Sequence, residues 1–314
     1  MGALQKLAVV GAGSVGAAIA YASTIDRLAD EIALYDVDGA RARAEAADLS
    51  HGLQFVGGGH VTGGDDIESC AGADLVVVTA GAAQRVGDSR LDLAQANVRL
   101  VSALLPELLR VAPDAIVLLV TNPVDVVTYA AQELCDLPHG RVIGSGTVLD
   151  SSRLRHALAE RLGVSVTSIH AMVVGEHGDS EVVLWSSASV GGTPLLAVAG
   201  PDGRRVGADD FATIQREVRD AAYQIIAGKG NTNLAIGLAT TRIARAISRD
   251  EHAVLPVSVR TSIDGIDVCL SVPSVVGRAG VLTSLPLVLD DVEQRGLAAS
   301  ATALRSVIDH VLAR

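Results

Sequence analysis

The sequence is poor in several features that mark particular classes of protein. Its three cysteines, Cys70, Cys135 and Cys269, are odd in number and far apart, which argues against a disulfide framework or a CxxC metal site. No apolar run reaches the ~18 residues that a membrane-spanning helix needs. The first residues enter an apolar strand-like run at once, which leaves no room for a signal peptide. These absences predict a soluble cytoplasmic protein without a metal site.

Positive charge is also scarce. The formal net charge is −11, and Lys6 and Lys229 are the only lysines among 25 basic residues. A strongly acidic chain is a poor partner for nucleic acids and anionic membranes, so we expect neither. Hydrophobic residues make up 49% of the 314 positions and charged residues 19%, which is typical of a well-buried globular protein. A chain of this length predicts about two domains.

Apolar runs alternate with helical stretches in the first part of the chain, residues 1–144. The runs are rich in Val, Ile and Leu and lie at residues 4–10, 31–36, 73–81, 114–123 and 140–146. Continuous apolar strands that are separated by helices indicate a parallel sheet covered on both faces. This part therefore predicts an α/β fold with a doubly wound (Rossmann) parallel sheet.

Residues 145–314 have a different pattern and predict an α+β domain. Two long helical patterns are followed by short strand-like segments and a final helix, at residues 208–228, 233–250, 254–260, 267–273 and 289–314. No linker rich in Ser, Pro or charged residues separates the two parts. We therefore expect two tightly packed domains with a cleft between them.

A glycine-rich motif, GAGSVG at residues 11–16, directly follows the first predicted strand and opens a helix. Gly11 permits the tight turn, Gly13 lets a pyrophosphate approach the backbone, and Gly16 lets helix and strand pack closely. Asp36 lies 20 residues beyond Gly16, at the end of the second strand. A carboxylate there binds the ribose 2′-hydroxyl and repels a 2′-phosphate, so the predicted cofactor is NAD rather than NADP.

Four further motifs narrow the function. They are AGAAQRVGDSRL at residues 80–91, TNPVD at 121–125, LDSSRLR at 149–155 and GEHGDS at 175–180. In this order behind the glycine motif they resemble the L-lactate/malate dehydrogenase family, over about residues 5–312. The resemblance implies an NAD-dependent 2-hydroxy-acid dehydrogenase with a Rossmann domain and a catalytic domain.

The chemistry of such an enzyme calls for the residue types in these motifs. Reduction of a 2-keto acid needs a hydride and a proton, and a histidine such as His177 can hold and release that proton near neutrality. The resemblance makes Asp150 the carboxylate that orients the ring. Arg153, three residues after Asp150 on one helix face, can bind the substrate carboxylate through two parallel hydrogen bonds. Arg90, on a glycine-containing loop, would polarise the ketone oxygen.

The resemblance assigns the remaining substrate contacts to Gln84, Asn122 and Thr232. A neutral glutamine at position 84 goes with pyruvate and L-lactate in the family, whereas arginine goes with oxaloacetate and malate. The physical reason is that a second buried carboxylate needs a cation beside it. The favoured substrate pair is therefore pyruvate and L-lactate.

The expected cofactor site extends beyond the glycine motif. Besides Gly11, Gly13, Gly16 and Asp36, the residues that we expect to contact NAD are Val15, Arg41, Gly81, Ala82, Asn122 and Ser145.

Arg155 and His170 suggest regulation. In the bacterial lactate dehydrogenases that fructose 1,6-bisphosphate activates, an arginine and a histidine occupy these two positions. The activator lies there on a two-fold axis between subunits, so the resemblance implies a homotetramer in which a bisphosphate neutralises facing positive pairs.

Other functions stay open at this stage. Val86 stands where the family usually has proline, and Asn233 and Leu234 replace a pair that is usually aromatic in related bacterial enzymes. The pocket could therefore suit a branched-chain 2-hydroxy acid. Malate dehydrogenase follows as a further alternative, and a non-catalytic NAD-binding protein comes last, because His177, Asp150 and Arg153 are all present.

Overall fold

The structure is a computed structural model, and it describes residues 4–82, 90–135 and 137–313. These residues form eight α-helices: α1 (Ser14–Asp26), α2 (Gly39–Val56), α3 (Arg90–Val111), α4 (Val124–Leu134), α5 (Val148–Leu162), α6 (Ala208–Lys229), α7 (Leu234–Ser248) and α8 (Asp291–Leu312). The strands are β1 (Leu4–Val10), β2 (Ala29–Tyr35), β3 (His60–Gly64), β4 (Leu75–Val78), β5 (Ile116–Leu119), β6 (Val142–Gly144), β7 (Ile169–His170), β8 (Val173–Val174), β9 (Val182–Val183), β10 (Ser189–Val190), β11 (Thr193–Pro194), β12 (Ala253–Ile263), β13 (Ile266–Gly277) and β14 (Gly280–Ser284).

A nine-stranded sheet runs through the molecule in the order β14-β13-β12-β6-β5-β4-β1-β2-β3. The six strands β6, β5, β4, β1, β2 and β3 are parallel to one another. All four residues of β4 and of β5 are buried, as expected for strands with a helix layer on each face. The predicted doubly wound α/β fold is confirmed.

The sequence did not predict β3. Its residues, HVTGG, contain one large apolar side chain and two glycines, so no apolar run marks the strand. The strand forms at the sheet edge because β2 offers its backbone groups there, with Ile32 opposite Val61.

The second part of the chain has the expected long helices α6, α7 and α8 and the strands β12 and β13. The main sheet continues across the predicted boundary at residues 144/145, because Ser258 of β12 pairs antiparallel with Gly144 of β6. The division into domains 1–144 and 145–314 stays a prediction.

Helix α5 lies between two apolar cores. Leu149 near its start packs into the large core around the main sheet. Leu154, Leu158 and Leu162 pack into a smaller core beneath β7, β8 and α6. The helix is therefore held on two sides, which fixes the direction of the side chains in its first turn.

The parallel strands bring the predicted nucleotide residues to one edge. Gly11, Asp36, Gly81, Asn122 and Ser145 follow β1, β2, β4, β5 and β6 respectively. Since the carboxyl ends of parallel strands meet at the same edge, this is where ligands bind in open α/β sheets.

None of the helices that the structure describes is long and apolar enough to span a membrane. Within the same residues, no group of three or more His, Cys, Asp or Glu side chains is arranged to hold a metal ion.

Candidate active site

The glycine-rich loop has the geometry of a pyrophosphate cradle. Gly11 has φ +102°, a left-handed conformation that favours glycine, and a Cβ there would lie 2.7 Å from the backbone nitrogen of Ala80. A Cβ on Gly16 would lie 1.8 Å from the carbonyl oxygen of Gly11, so α1 can approach the loop this closely only with glycine at position 16.

The space above Gly13 can receive a phosphate group. A Cβ built on Gly13 meets no heavy atom within 4 Å, and no side chain caps the N-terminus of α1. The first-turn N–H groups, including that of Val15, therefore form a helix N-terminus suited to an anion.

Asp36 lies beside this loop. Its carboxylate accepts hydrogen bonds from the backbone N–H of Ala12 at 2.6 Å and of Asp38 at 2.9 Å. A carboxylate held at the end of β2 against the glycine loop is in place to bind a ribose hydroxyl. Arg41 is exposed in the first turn of α2, where its backbone N–H donates to Asp38.

Asn97, which sequence reasoning missed, connects two of the predicted cofactor loops. Its side-chain oxygen accepts a hydrogen bond from the N–H of Ala82 at 2.7 Å, and its amide donates to the carbonyl of Asn122 at 2.7 Å. Asn97 is buried, and Ser145 is buried beside the same edge. The available signal was an asparagine within the apolar pattern of α3.

The catalytic motifs meet at the N-terminus of α5. Nδ1 of His177 lies 2.6 Å from Oδ2 of Asp150, and Nη1 of Arg153 donates to Oδ1 of Asp150 at 2.8 Å. The Asp150 side chain is 3% exposed, whereas that of His177 is 25% exposed. The structure thus brings together three residues that the sequence proposed for one site.

The charges of these groups reinforce one another. The carboxylate of Asp150 raises the pKa of His177 to about 9, against the opposing effect of burial. Burial raises the pKa of the Asp150 carboxyl, but the charges and hydrogen bonds of His177 and Arg153 have a larger effect in the opposite direction. The pKa of Asp150 is therefore lowered overall. At neutral pH His177 and Asp150 therefore form an ion pair.

A second carboxylate, Asp125 of the TNPVD motif, holds the backbone of His177. Its Oδ2 accepts a hydrogen bond from the His177 N–H at 2.7 Å, and its Oδ1 accepts from the hydroxyl of Ser258 at 2.6 Å. Complete burial raises the pKa of Asp125 to about 6. Sequence reasoning used the motif as a family marker and did not predict this contact.

The His177 side chain faces a cavity of about 540 Å³. The cavity wall also includes Asn122, Asp150 and Arg153, as predicted, together with Glu181 and Arg219, which the sequence analysis did not single out. Thr232 lies half-buried in the turn between α6 and α7 and is not among the described residues that line the cavity. Gln84 and the side chain of Arg90 lie outside the described residues.

The proposed regulatory pair lies at the other side of α5. Nε of Arg155 donates to the carbonyl of Ala171 at 2.9 Å, and Ala171 directly follows the exposed His170. Burial, and then the charge of Arg242, lowers the pKa of Arg155. Arg155 therefore contacts the backbone of the residue next to His170.

Comparisons with known proteins agree with this site. The model of the lactate/malate dehydrogenase NAD-binding domain matches residues 5–144, and that of the family's alpha/beta C-terminal domain matches residues 147–314. This chain belongs to the lactate/malate dehydrogenase family. NAD is accordingly its cofactor, as the glycine loop and Asp36 predicted.

Individual relatives resemble the chain over nearly its whole length. The L-lactate dehydrogenase of Synechococcus sp. (strain JA-3-3Ab) is 46% identical over 309 residues, which cover 98% of this chain and 99% of the relative. The L-lactate dehydrogenase of Bifidobacterium animalis subsp. lactis is 46% identical, with 96% and 95% covered. The minor L-lactate dehydrogenase of Enterococcus mundtii superposes with a TM-score of 0.93 at 37% identity, with 99% of each chain covered.

Proposed function

We propose that this member of the lactate/malate dehydrogenase family is an L-lactate dehydrogenase, which interconverts pyruvate and L-lactate. The observation that carries the proposal is the His177–Asp150–Arg153 group, which faces a cavity at the same sheet edge as the nucleotide loop. The relatives named above, which carry that activity in their names, support it.

The residues around the glycine loop fit NAD. The open space at Gly13 and the N-terminus of α1 would hold the pyrophosphate, and Asp36 would hold the adenosine ribose. Gly81, Ala82, Asn122 and Ser145 lie along the same edge and would border the rest of the cofactor, with Arg41 further out. Bound NADH supplies the hydride for the carbonyl carbon.

His177 supplies the proton. Since Nδ1–H donates to Asp150, the protonated ring has Nε2–H left to face the keto oxygen. When the carbonyl carbon is reduced, this proton moves to the oxygen and the ring becomes neutral. In the direction of lactate oxidation, neutral His177 takes the hydroxyl proton back.

Arg153 binds the carboxylate of the substrate. It lies one helix turn from Asp150 and donates one of its five guanidinium N–H groups to that residue. Other N–H groups are therefore left for the substrate carboxylate. We assign polarisation of the ketone oxygen to Arg90, and contacts with the substrate to Asn122 and Thr232, on the family resemblance.

A panel of 2-keto acids tests the substrate assignment. With NADH, we expect pyruvate to have a higher kcat/KM than oxaloacetate or a branched-chain 2-keto acid, because Gln84 brings no cation for a second carboxylate. Gln84→Arg should raise kcat/KM for oxaloacetate and lower it for pyruvate.

The unmodified enzyme is the reference for this variant. A preference of the unmodified enzyme for oxaloacetate would mean that position 84 has been misread, and a preference for the branched substrate would favour the second candidate. Failure to reduce any 2-keto acid would reject the proposed dehydrogenase activity altogether.

We also propose that fructose 1,6-bisphosphate activates the enzyme and that the enzyme is a cytoplasmic homotetramer. The support is the contact of Arg155, on the helix that also carries Asp150 and Arg153, with the backbone of Ala171 beside His170. Two cations that approach each other across a two-fold axis would repel until a bisphosphate neutralises them.

A further inference from the structure

Glu181 is a buried acidic residue of the cavity wall that has no role in the mechanism described above. Glu181 follows the GEHGDS motif and directly precedes β9, and it lines the same cavity as Asp150, Arg153 and His177. The residue is only 4% exposed, and among the residues that the structure describes its Oε1 atom has no hydrogen-bond partner. An ionised carboxylate in such a place is costly, because burial removes hydration and Oε1 receives no hydrogen bond from the described residues in return.

The charged groups around Glu181 shift its pKa in both directions. Burial, together with the negative charge of Asp150, raises the pKa of Glu181 to about 8, and the positive groups reduce the shift only in part. Among the described residues, the other titratable and charged groups in the cavity wall come from α5, the GEHGDS loop, α6 and α8. They are Asp150, Arg153, Glu176, His177, Asp179, Arg219, Tyr223 and His310.

Asp150 limits what Arg153 and His177 can offer to a substrate. Arg153 already donates to Asp150 at 2.8 Å, and His177 lies 2.6 Å from the same carboxylate. Arg219 is engaged with Asp220 at 3.1 Å. An ionised Glu181 would add a further negative charge to the wall and would therefore compete with the carboxylate of the substrate for Arg153 and His177.

We propose that Glu181 is a specificity-determining residue, whose carboxyl stays protonated when the substrate binds and whose ionisation at alkaline pH weakens binding of the substrate carboxylate. The proposal rests on the proposed function, since it concerns pyruvate and L-lactate as monoanions. It assigns to this side chain a pH-dependent part of the negative charge that the substrate meets in the cavity.

L-lactate is the better probe, because Glu181 and His177 affect it in opposite directions. Lactate binds when His177 is neutral, so loss of the histidine proton at alkaline pH favours binding. Ionisation of Glu181 opposes binding in the same pH range. A penalty on lactate binding that grows with pH and is removed in Glu181→Gln therefore reports on the carboxylate of Glu181.

The experiment compares KM and kcat for L-lactate in the unmodified enzyme and in Glu181→Gln at pH 6.5 and pH 9.5, with saturating NAD. We expect the two KM values to agree within about twofold at pH 6.5 and KM of Glu181→Gln to be ~10-fold lower at pH 9.5, which corresponds to a difference of one pKa unit in interaction. Glu181→Met, which also lacks a charge, should behave in the same way if the charge matters.

The matched control is Glu160→Gln, which removes a carboxylate from the exposed surface of α5 outside the cavity. The KM of Glu160→Gln for L-lactate, divided by that of the unmodified enzyme, should be the same at pH 6.5 and pH 9.5. A ratio for Glu181→Gln that is equal at both pH values would overturn the proposal and leave Glu181 as a packing residue. If the unmodified enzyme does not turn over L-lactate at all, the proposed function fails instead.

Discussion

The ion pair between His177 and Asp150 determines which ring nitrogen is left for the substrate. Asp150 receives Nδ1–H at 2.6 Å, and the side chain is almost fully buried, so the ring has one preferred orientation. Because Asp125 separately holds the backbone N–H of His177, two buried carboxylates fix this residue. The catalytic proton is thus placed by contacts that come from α4 and α5.

Replacement of His177 should separate catalysis from cofactor binding. We expect His177→Asn to lose ~10²–10⁴-fold in kcat for pyruvate reduction, because no group then delivers the proton. Binding of NADH, measured by fluorescence titration, should change little, since the nucleotide loop lies in the first part of the chain.

Asp150→Asn is the companion variant. It should lose less activity than His177→Asn, because the histidine stays but is no longer held in one tautomer and orientation. Near-normal turnover by His177→Asn would remove this histidine from the mechanism.

Helix α5 is the element that connects the site to the surface around Arg155. Asp150 and Arg153 lie in its first turns, and Arg155 contacts the backbone next to His170. The same helix packs into both apolar cores, so Arg155 cannot shift without also moving Asp150 and Arg153. A ligand that draws Arg155 towards a partner subunit would therefore act on the catalytic geometry through one rigid element.

This arrangement predicts an effect of fructose 1,6-bisphosphate on pyruvate binding. The half-saturating pyruvate concentration should fall when the bisphosphate is added to the unmodified enzyme, and Arg155→Gln should abolish that response. Sedimentation should show a larger share of tetramer with the activator present.

Arg161→Gln serves as the control for this prediction. It removes a cation from the same helix, where Arg161 pairs with Glu217 on α6. This variant should still respond to the activator. An unmodified enzyme whose pyruvate saturation does not change with fructose 1,6-bisphosphate would show that Arg155 and His170 have no such role.

For the molecule as a whole, the free energy of unfolding depends on the protonation of the buried groups in the cavity. The pKa of Glu181 is raised from 4.5 to about 8, and that of His177 from 6.5 to about 9. In both cases the folded chain binds protons more tightly than the unfolded chain does. The free energy of unfolding must therefore decrease as pH rises from about 5 through 9 on account of these two groups.

We accordingly expect the melting temperature of the cofactor-free protein to be several degrees lower at pH 9 than at pH 6.5, at a fixed protein concentration. Glu181→Gln should melt higher than the unmodified protein at pH 9 and differ less at pH 6.5, because it cannot ionise. Glu160→Gln should follow the unmodified protein at both pH values. A Glu181→Gln curve that parallels the unmodified one would show that Glu181 does not titrate in this range.

The sequence by itself determined the fold class, the cofactor and the family. Buried parallel strands leave long apolar runs, and a pyrophosphate loop requires glycines at fixed spacing, so both can be read along the chain. The relation between Asp150 and Arg153 could also be predicted, because a spacing of three residues places them on one helix face.

Only the tertiary structure decided which distant residues share the site. Asn97 and Asp125 acquire their roles from contacts with residues on other elements, and their local sequence does not show which groups they meet. The burial of Glu181 depends on how α5, α6 and the GEHGDS loop enclose one cavity, so its raised pKa is a property of packing. Likewise, β3 and the join between β6 and β12 form because a neighbouring strand supplies backbone partners, which a single segment cannot show.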